Sequence, residues 1–226
     1  MFNEKTHAFI VASYYKQLTE QLGKERGEAI FIKASQKYAE QRGARMALRA
    51  MRDGYPLDYA SYFAYGEWYP TIPSESKNVG ENNEKRNNIF KCAWAETFKE
   101  MGLQDCGKVY CYQIDAGIVR GFNPDLKFKT HCNLSDSDYC DLQFIGSDLT
   151  KTVPAPADGK KDWVYHCAHT MRAYGDVCHA NLGNPSVYGA VHEDFQKQFG
   201  DDALIKLIEA MQQDFTKIKC YKNQIE

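Results

Sequence analysis

Two segments with alternating apolar and polar residues, joined by a short polar turn, constrain the fold more than any other feature of this sequence. Residues 126–134 and 139–145 alternate with a period of two, which is the pattern of a strand with one buried face. The polar residues 135–138 between them predict an antiparallel hairpin. Since a hairpin rather than regular strand–helix–strand units organises these strands, we expect an α+β fold and not a doubly wound parallel sheet.

The rest of the chain is mainly helical in pattern. Apolar residues recur at helical spacing from about residue 4 to residue 53, with Gly23 as a predicted helix end. Further helices are predicted at 57–68, 91–101 and 162–180 and from Asp201, a third strand at 108–114, and a loop or lid at 70–88. We expect a helical N-terminal part and loop (1–88) packed on a small antiparallel sheet in an α+β part (89–226), with C-terminal helices covering one face, in one compact unit.

Composition excludes several classes of protein. Of the 226 residues, 43% are hydrophobic and 26% are charged, and the net charge is −2, so the sequence lacks the basic surface of a nucleic-acid-binding domain. The apolar runs are too short for a membrane span. We find no signal-peptide pattern and expect a cytoplasmic protein with reduced thiols. The expected partner is a small-molecule substrate. We expect binding neither to nucleic acid nor to a membrane, and the sequence leaves open whether the chain forms a homo-oligomer.

Five of the eight cysteines lie within residues 92–144. Cys111 and Asp115 lie near the end of the predicted third strand, where a thiol and a carboxylate can share a pocket. One interpretation is an activated nucleophile with His166 as its base. The other is that Cys111 fills the sheet core and Asp115 caps the following turn.

His166 and His169 lie three residues apart on a predicted helix and therefore near each other on one face. This spacing suits a base with its orienting partner, or a shared metal. A metal site requires Cys92, Cys106 and Cys111 to converge with a histidine, because their spacing matches no standard zinc motif. The sequence therefore does not identify a cofactor, and a divalent metal such as zinc is the one candidate that these residues suggest.

Four arginines form a stripe on one face of the predicted second helix, at steps of three, four and three residues: Arg42, Arg45, Arg49 and Arg52. Such stripes are usually solvated or paired in salt bridges. The functional alternative is a platform for a substrate carboxylate, which arginine binds in a fork. The Asn123–Pro124 pair is typical of a turn.

Taken in order, these motifs resemble the L-2-amino-thiazoline-4-carboxylic acid hydrolase family. The resemblance is carried mainly by residues 88–180. Its pieces are Cys92 before a helix, Tyr110-Cys111 with Asp115, Phe122-Asn123-Pro124, Cys140 before an aromatic strand end, and Trp163 followed by His166 and His169.

The resemblance implies a hydrolase that opens a carbon–nitrogen bond of a small cyclic amidine. Water or a thiolate would attack the ring carbon between nitrogen and sulfur, giving a carbamoyl-cysteine type of product. The implied catalytic residues are Cys111, Asp115, His166 and His169. The implied substrate-binding residues are Arg120, Asn123, Arg45 and Arg49. The alternatives are a non-catalytic ligand-binding or sensor module that uses the same pocket, and a Cys/His metalloprotein.

Overall fold

The computed structural model describes residues 2–183 and 185–218, and these form eight helices and a four-stranded sheet. The elements in chain order are α1 (Glu4–Leu22), α2 (Lys24–Arg52), α3 (Tyr59–Ala64), β1 (Glu75–Asn78), β2 (Lys85–Lys91), α4 (Ala93–Glu100), α5 (Gln104–Phe122), β3 (Lys127–Cys132), β4 (Cys140–Ile145), α6 (Trp163–Leu182), α7 (Ser186–Phe199) and α8 (Asp201–Ala210).

The sheet is entirely antiparallel, with the strand order β1-β2-β4-β3. The predicted hairpin is confirmed as β3 and β4, and the α+β class is confirmed with it. The long N-terminal helices are confirmed as well, and α1 ends at Gly23, whose φ of 80° suits glycine. Helix α2 continues without a break through Gly43.

Two predicted elements are wrong. Residues 108–114 lie in helix α5 and do not form a strand, because the buried positions Cys106, Tyr110 and Ile114 recur every four residues. The aromatic and β-branched residues of this segment imitate a strand in composition. The segment 70–88, predicted as a loop or lid, contains β1 and the start of β2, joined by a turn in which Asn82 and Asn83 adopt positive φ.

The core forms where α2 crosses α5 and where α1 and α6 pack on α2. The crossing of α2 and α5 is close because Gly43 faces the α5 backbone and Gly121 faces that of α2. A Cβ atom on Gly43 would overlap the Ile118 carbonyl oxygen, and one on Gly121 would overlap that of Glu40. These glycines therefore set the distance between the two helices.

The sheet packs on the helices mainly where β3 meets α5. The position 88/89, where the sequence suggested a division, lies inside β2, which pairs with both β1 and β4. No helix in the described part of the chain has the length and apolarity needed to cross a membrane. Cys220, which the sequence indicates only as a core or surface thiol, lies outside the described residues.

Candidate active site

A cavity of about 360 Å³ lies between one face of the sheet, helix α5 and the segment that leads from α3 to β1. Strands β1, β2 and β4 each point side chains into it. It is lined by Glu4, Trp68, Pro70, Ile72, Ser74, Ser76, Asn87, Ile89, Cys92, Ala93, Trp94, Tyr110, Cys111, Ile114, Asp115, Asn133, Cys140, Leu142 and Trp163. A wider groove of about 620 Å³ shares Trp163 with this cavity, but neither a thiol nor an imidazole lines its described part.

Helix α5 brings Cys111 and Asp115 to the cavity together. The two residues are four apart, which places their side chains one above the other on one helical face. The sequence paired these residues across the end of a strand. The structure pairs them across one turn of a helix, and the functional consequence is the same: thiol and carboxyl group face one space.

The Asp115 carboxyl group has an unusual environment. Burial raises its pKa to about 6, and the positive charge of Arg42 lowers it only in part. No group in the described chain donates a hydrogen bond to this carboxyl group. A carboxyl group that titrates near neutrality can exchange a proton with a bound molecule in either direction.

Three thiols line the cavity, and burial raises the pKa of each. The pKa of Cys140 rises to about 12 and that of Cys111 rises well above its usual value. Burial also raises the pKa of Cys92, but the backbone N–H groups of Ala95 and Trp94 lower it. All three are therefore thiols rather than thiolates at neutral pH.

The cavity also contains polar groups that lack a protein partner. The Asn133 side chain is fully buried; its Oδ1 accepts a hydrogen bond from Ser135 N at 2.9 Å, whereas its Nδ2 has no partner. The Tyr110 hydroxyl is also buried without a partner. Since an unpaired buried donor is costly, these groups indicate a place for water or for a ligand.

Stacked aromatic rings form one wall. The guanidinium carbon of Arg42 lies 4.0 Å from the centroid of the Trp68 ring, and Trp68 stacks on Trp94 at 4.7 Å with 7° between the planes. Trp94 Nε1 donates to His7 Nδ1 at 3.0 Å, which fixes the ring. This wall is rigid, apolar and backed by a positive charge.

Glu4 holds the segment that closes the cavity. Its carboxylate accepts hydrogen bonds from Thr71 N and Thr71 Oγ1, each at 2.5 Å, and from Ile72 N at 3.0 Å. Burial acts to raise the pKa of Glu4, but the three hydrogen bonds outweigh burial and lower it. Helix α1 is thereby connected to the cavity wall.

His166 and His169 do not line the cavity. Trp68 and Trp163, which do line it, pack against His166. His166 Nε2 is 3.3 Å from the Glu67 carbonyl oxygen, and His169 Nε2 is 2.8 Å from Gln41 Oε1. Burial lowers the pKa of both rings well below the usual value, so both are neutral. The structure brings these imidazoles together with the arginine stripe and not with Cys111.

The arginine stripe is paired in salt bridges, as one interpretation of the sequence had it, and three of its four members are buried around one carboxylate rather than solvated. Arg45 binds Glu67 through two hydrogen bonds of 3.0 and 2.7 Å, and Arg49 binds it through one of 2.6 Å. Arg42 Nε lies 4.0 Å from the same carboxylate, and Arg52 pairs with Asp158. Arg45 and Arg49, expected to bind substrate, point to Glu67 and do not line the cavity.

The other two expected substrate-binding residues also lie elsewhere. Arg120 is exposed and pairs with Glu40 at 2.8 Å. Asn123 bridges two backbone groups: its Nδ2 donates to Leu57 O at 2.8 Å and its Oδ1 accepts from Asp125 N at 3.0 Å. Asn123 thus has the turn role that its sequence context indicated.

The described residues do not form the proposed metal site. Cys92 and Cys111 line the cavity, but Cys106 is buried outside it. Within residues 2–183 and 185–218, no group of three or more His, Cys, Asp or Glu side chains is arranged to hold a metal ion. The cysteine cluster is therefore better described as thiols beside a carboxyl group than as a ligand set.

Sequence reasoning missed several residues of the site. Asn133 sits next to a turn and looks like any turn-forming asparagine. Glu67 is one of many carboxylates in the sequence, and only the fold shows that it pairs with Arg45 and Arg49. Trp68 and Trp94 come from separate elements, and the available signal was the aromatic content of the segment around Trp68.

Comparison with known proteins identifies a family for this chain. A family model described as L-2-amino-thiazoline-4-carboxylic acid hydrolase matches residues 3–144. The matched range contains every residue that lines the cavity except Trp163, and it ends before His166 and His169. Neither a curated protein nor a solved structure gives a significant match.

Proposed function

The chain belongs to the L-2-amino-thiazoline-4-carboxylic acid hydrolase family, and on this premise we propose that it opens a carbon–nitrogen bond of a small cyclic amidine that bears a carboxylate. The observation that carries the proposal is the composition of the cavity: a carboxyl group with a pKa of about 6, three thiols and aromatic walls share one space. Such a combination is typical of an acid–base site for a small heterocycle.

The charge of the cavity supports a basic substrate. Its ionisable groups besides the thiols and Tyr110 are the carboxyl groups of Glu4 and Asp115, and no Lys, Arg or His is among its described lining residues. A cyclic amidine is a strong base and carries a positive charge at neutral pH. An acidic cavity attracts such a cation through charge.

Asp115 is the residue to which we assign proton transfer. As a carboxylate it would remove the proton from the attacking water or thiol, and as a carboxylic acid it would return that proton to the departing ring nitrogen. A group with a pKa of about 6 serves both steps at neutral pH. Neutral donors such as Asn133 Nδ2 would meet the substrate carboxylate in place of the arginines expected from the sequence.

The proposal is tested with purified protein and a panel of cyclic amidines, with and without a carboxylate, including 2-amino-thiazoline-4-carboxylate. The expected product is the substrate plus one water, detected by mass spectrometry. Asp115→Asn should lower kcat by about 100-fold or more. The matched control Asp125→Asn, which changes an exposed aspartate, should keep full activity. Folded wild-type protein without turnover on the whole panel would refute the proposal.

The second candidate is a non-catalytic module that binds a small ligand in the same cavity. The observation in its favour is that burial raises the pKa of all three cavity thiols, which disfavours the reactive thiolate form. Isothermal titration calorimetry with the same panel separates the two functions. Binding without turnover, and with unchanged affinity in Cys111→Ala, would favour the binding module.

A further inference from the structure

Cys92 has a backbone environment that the other two cavity thiols lack. It is the N-cap residue of α4 and has extended φ and ψ of −146° and 129°. The free N–H groups of the first turn surround an N-cap side chain and favour a negative charge there. Burial raises the pKa of Cys92, and the N–H groups of Trp94 and Ala95 offset part of this effect, although Cys92 makes no side-chain capping hydrogen bond.

The other two thiols are less suited to carry a charge. Cys111 lies in the interior of α5, where the backbone N–H groups are used within the helix. Burial and the neighbouring acidic groups, first among them Cys92, all raise its pKa. Cys140 lies in β4, and only the backbone N–H of Leu134 acts to lower its pKa. Formation of a thiolate is therefore least unfavourable at Cys92.

Asn133 is a second and independent indication of a ligand in the same cavity. Its side chain is fully buried and lines the cavity together with Cys92. Hydrogen bonds from Ser135 N to Oδ1 and from Asn133 N to Asp136 Oδ1 fix the residue. The unpartnered Nδ2 is thus the part of the side chain left for a bound molecule.

We infer that Cys92, and not Cys111, is the nucleophile of this cavity, and that it forms a covalent adduct at the amidine carbon of the substrate. This inference rests on the proposed function. It also changes the role that the sequence suggested for the cysteines, because the N-cap position is a property of α4 and is not visible in the spacing of Cys92 and Cys111.

The covalent route balances with water as the second substrate. Asp115 takes the proton of the Cys92 thiol, and the sulfur forms a bond to the amidine carbon while the electron pair of the carbon–nitrogen double bond moves to nitrogen. The lone pair of the other amidine nitrogen then re-forms a carbon–nitrogen double bond while the bond from this carbon to the ring nitrogen breaks, and the ring nitrogen leaves with the electron pair of the broken bond and takes the proton from Asp115. Water adds to the same carbon and gives one proton to Asp115, Cys92 leaves as a thiolate and takes that proton back from Asp115, and the net change is the addition of one water.

The first experiment does not depend on turnover. The wild-type protein is treated with substoichiometric iodoacetamide at neutral pH, and the modified peptides are quantified by mass spectrometry over time. We expect Cys92 to react about tenfold or more faster than Cys111 and Cys140, because a thiolate at a helix N-terminus is the reactive form. A rate at Cys111 or Cys140 equal to or above that at Cys92 would overturn the inference, whether or not the protein is an amidine hydrolase.

The second experiment compares serine variants. Cys92→Ser should lower kcat by about 100-fold or more while the thermal midpoint stays the same or rises, because serine is a preferred N-cap residue. The control Cys132→Ser lies outside the cavity and keeps the donor that binds the Tyr139 carbonyl oxygen, so its activity should match that of the wild type. Acid-quenched wild-type protein should carry the opened substrate on the Cys92 peptide.

The two failures can be told apart. If the wild-type protein turns over an amidine and Cys92→Ser does so equally well, the proposed function stands and the inference about Cys92 falls. If the wild-type protein turns over nothing but Cys92 is alkylated first, the proposed function falls and the reactive thiol stands. Loss of activity in Cys111→Ser together with its retention in Cys92→Ser would assign the nucleophile to Cys111.

Discussion

Glu67→Gln is the substitution for which the structure predicts the largest loss of stability at the smallest change of shape. Glu67 is fully buried and accepts three charge-assisted hydrogen bonds, two from Arg45 and one from Arg49. Glutamine has nearly the same volume but no charge. The substitution therefore leaves Arg42 and Arg45 buried without this counter-ion, and it leaves Arg49 with only Asp158, whose carboxylate lies 3.9 Å from its Nε.

Two independent estimates of the loss agree. Removing one partner of a buried ion pair costs about 3 to 5 kcal/mol. Burial acts to raise the pKa of Glu67, but Arg45 and Arg49 outweigh burial, and the pKa falls from 4.5 to about 2. At about 1.36 kcal/mol per pKa unit, this shift corresponds to about 3 kcal/mol of stability. We expect a decrease of about 3 kcal/mol in the free energy of unfolding, which is a large part of the stability of a typical domain.

The pH dependence has a definite sign. A carboxyl group whose pKa is lowered in the folded protein stabilises it fully above its unfolded pKa and loses that effect as the pH falls through the folded value. The difference between the wild type and Glu67→Gln should therefore be complete above a pH of about 4.5 and shrink as the pH approaches about 2.

The assay is urea unfolding followed by far-UV circular dichroism at several pH values. Glu100→Gln is the control, because Glu100 pairs with Lys5 at the surface, where their side chains are 61% and 40% exposed. Exposed pairs contribute little, so its loss should stay below about 0.5 kcal/mol. A loss below about 1 kcal/mol for Glu67→Gln at neutral pH would refute the reasoning.

Three further predictions follow from the same contacts. Asp115→Asn should raise the free energy of unfolding at neutral pH by about 1 to 3 kcal/mol, because the raised pKa of Asp115 means that the folded state disfavours its charge; equal or lower stability in urea would contradict this. Gly43→Ala should lower the thermal midpoint by several degrees, because its Cβ would overlap the α5 backbone, whereas the control Gly189→Ala, with open space around it, should leave the midpoint unchanged or raise it. Glu4→Gln should speed hydrogen exchange at the Thr71 amide by about tenfold, since it weakens an acceptor of that N–H; unchanged exchange would show that other contacts hold this segment.

Local patterns in the sequence were sufficient for most of the fold. The alternation in residues 126–134 and 139–145 reports which face of a strand is buried, and the antiparallel hairpin follows from it. The helical spacing and Gly23 likewise define α1 and α2. These predictions succeed because the period of the side chains is a property of the backbone alone.

Residues 108–114 show where local patterns fail. Their composition favours a strand, but tertiary packing decides in favour of helix α5, because glycines on α2 and α5 allow the two helices to approach closely and bury Tyr110 and Ile114. Cys111 and Asp115 still face the same cavity despite this error, since residues four apart share a face of a helix.

The sequence by itself determined that thiols, carboxylates, imidazoles and guanidinium groups are present, and that a helical part accompanies an antiparallel hairpin. Only the tertiary structure decided which of these groups meet. It buries Arg45 and Arg49 against Glu67, keeps His166 behind Trp163, and turns Cys92, Asp115 and Asn133 toward one cavity. The physical reason is that the pairing of charges and the pKa of a buried group depend on neighbours from distant parts of the chain, and sequence spacing carries no information about those neighbours.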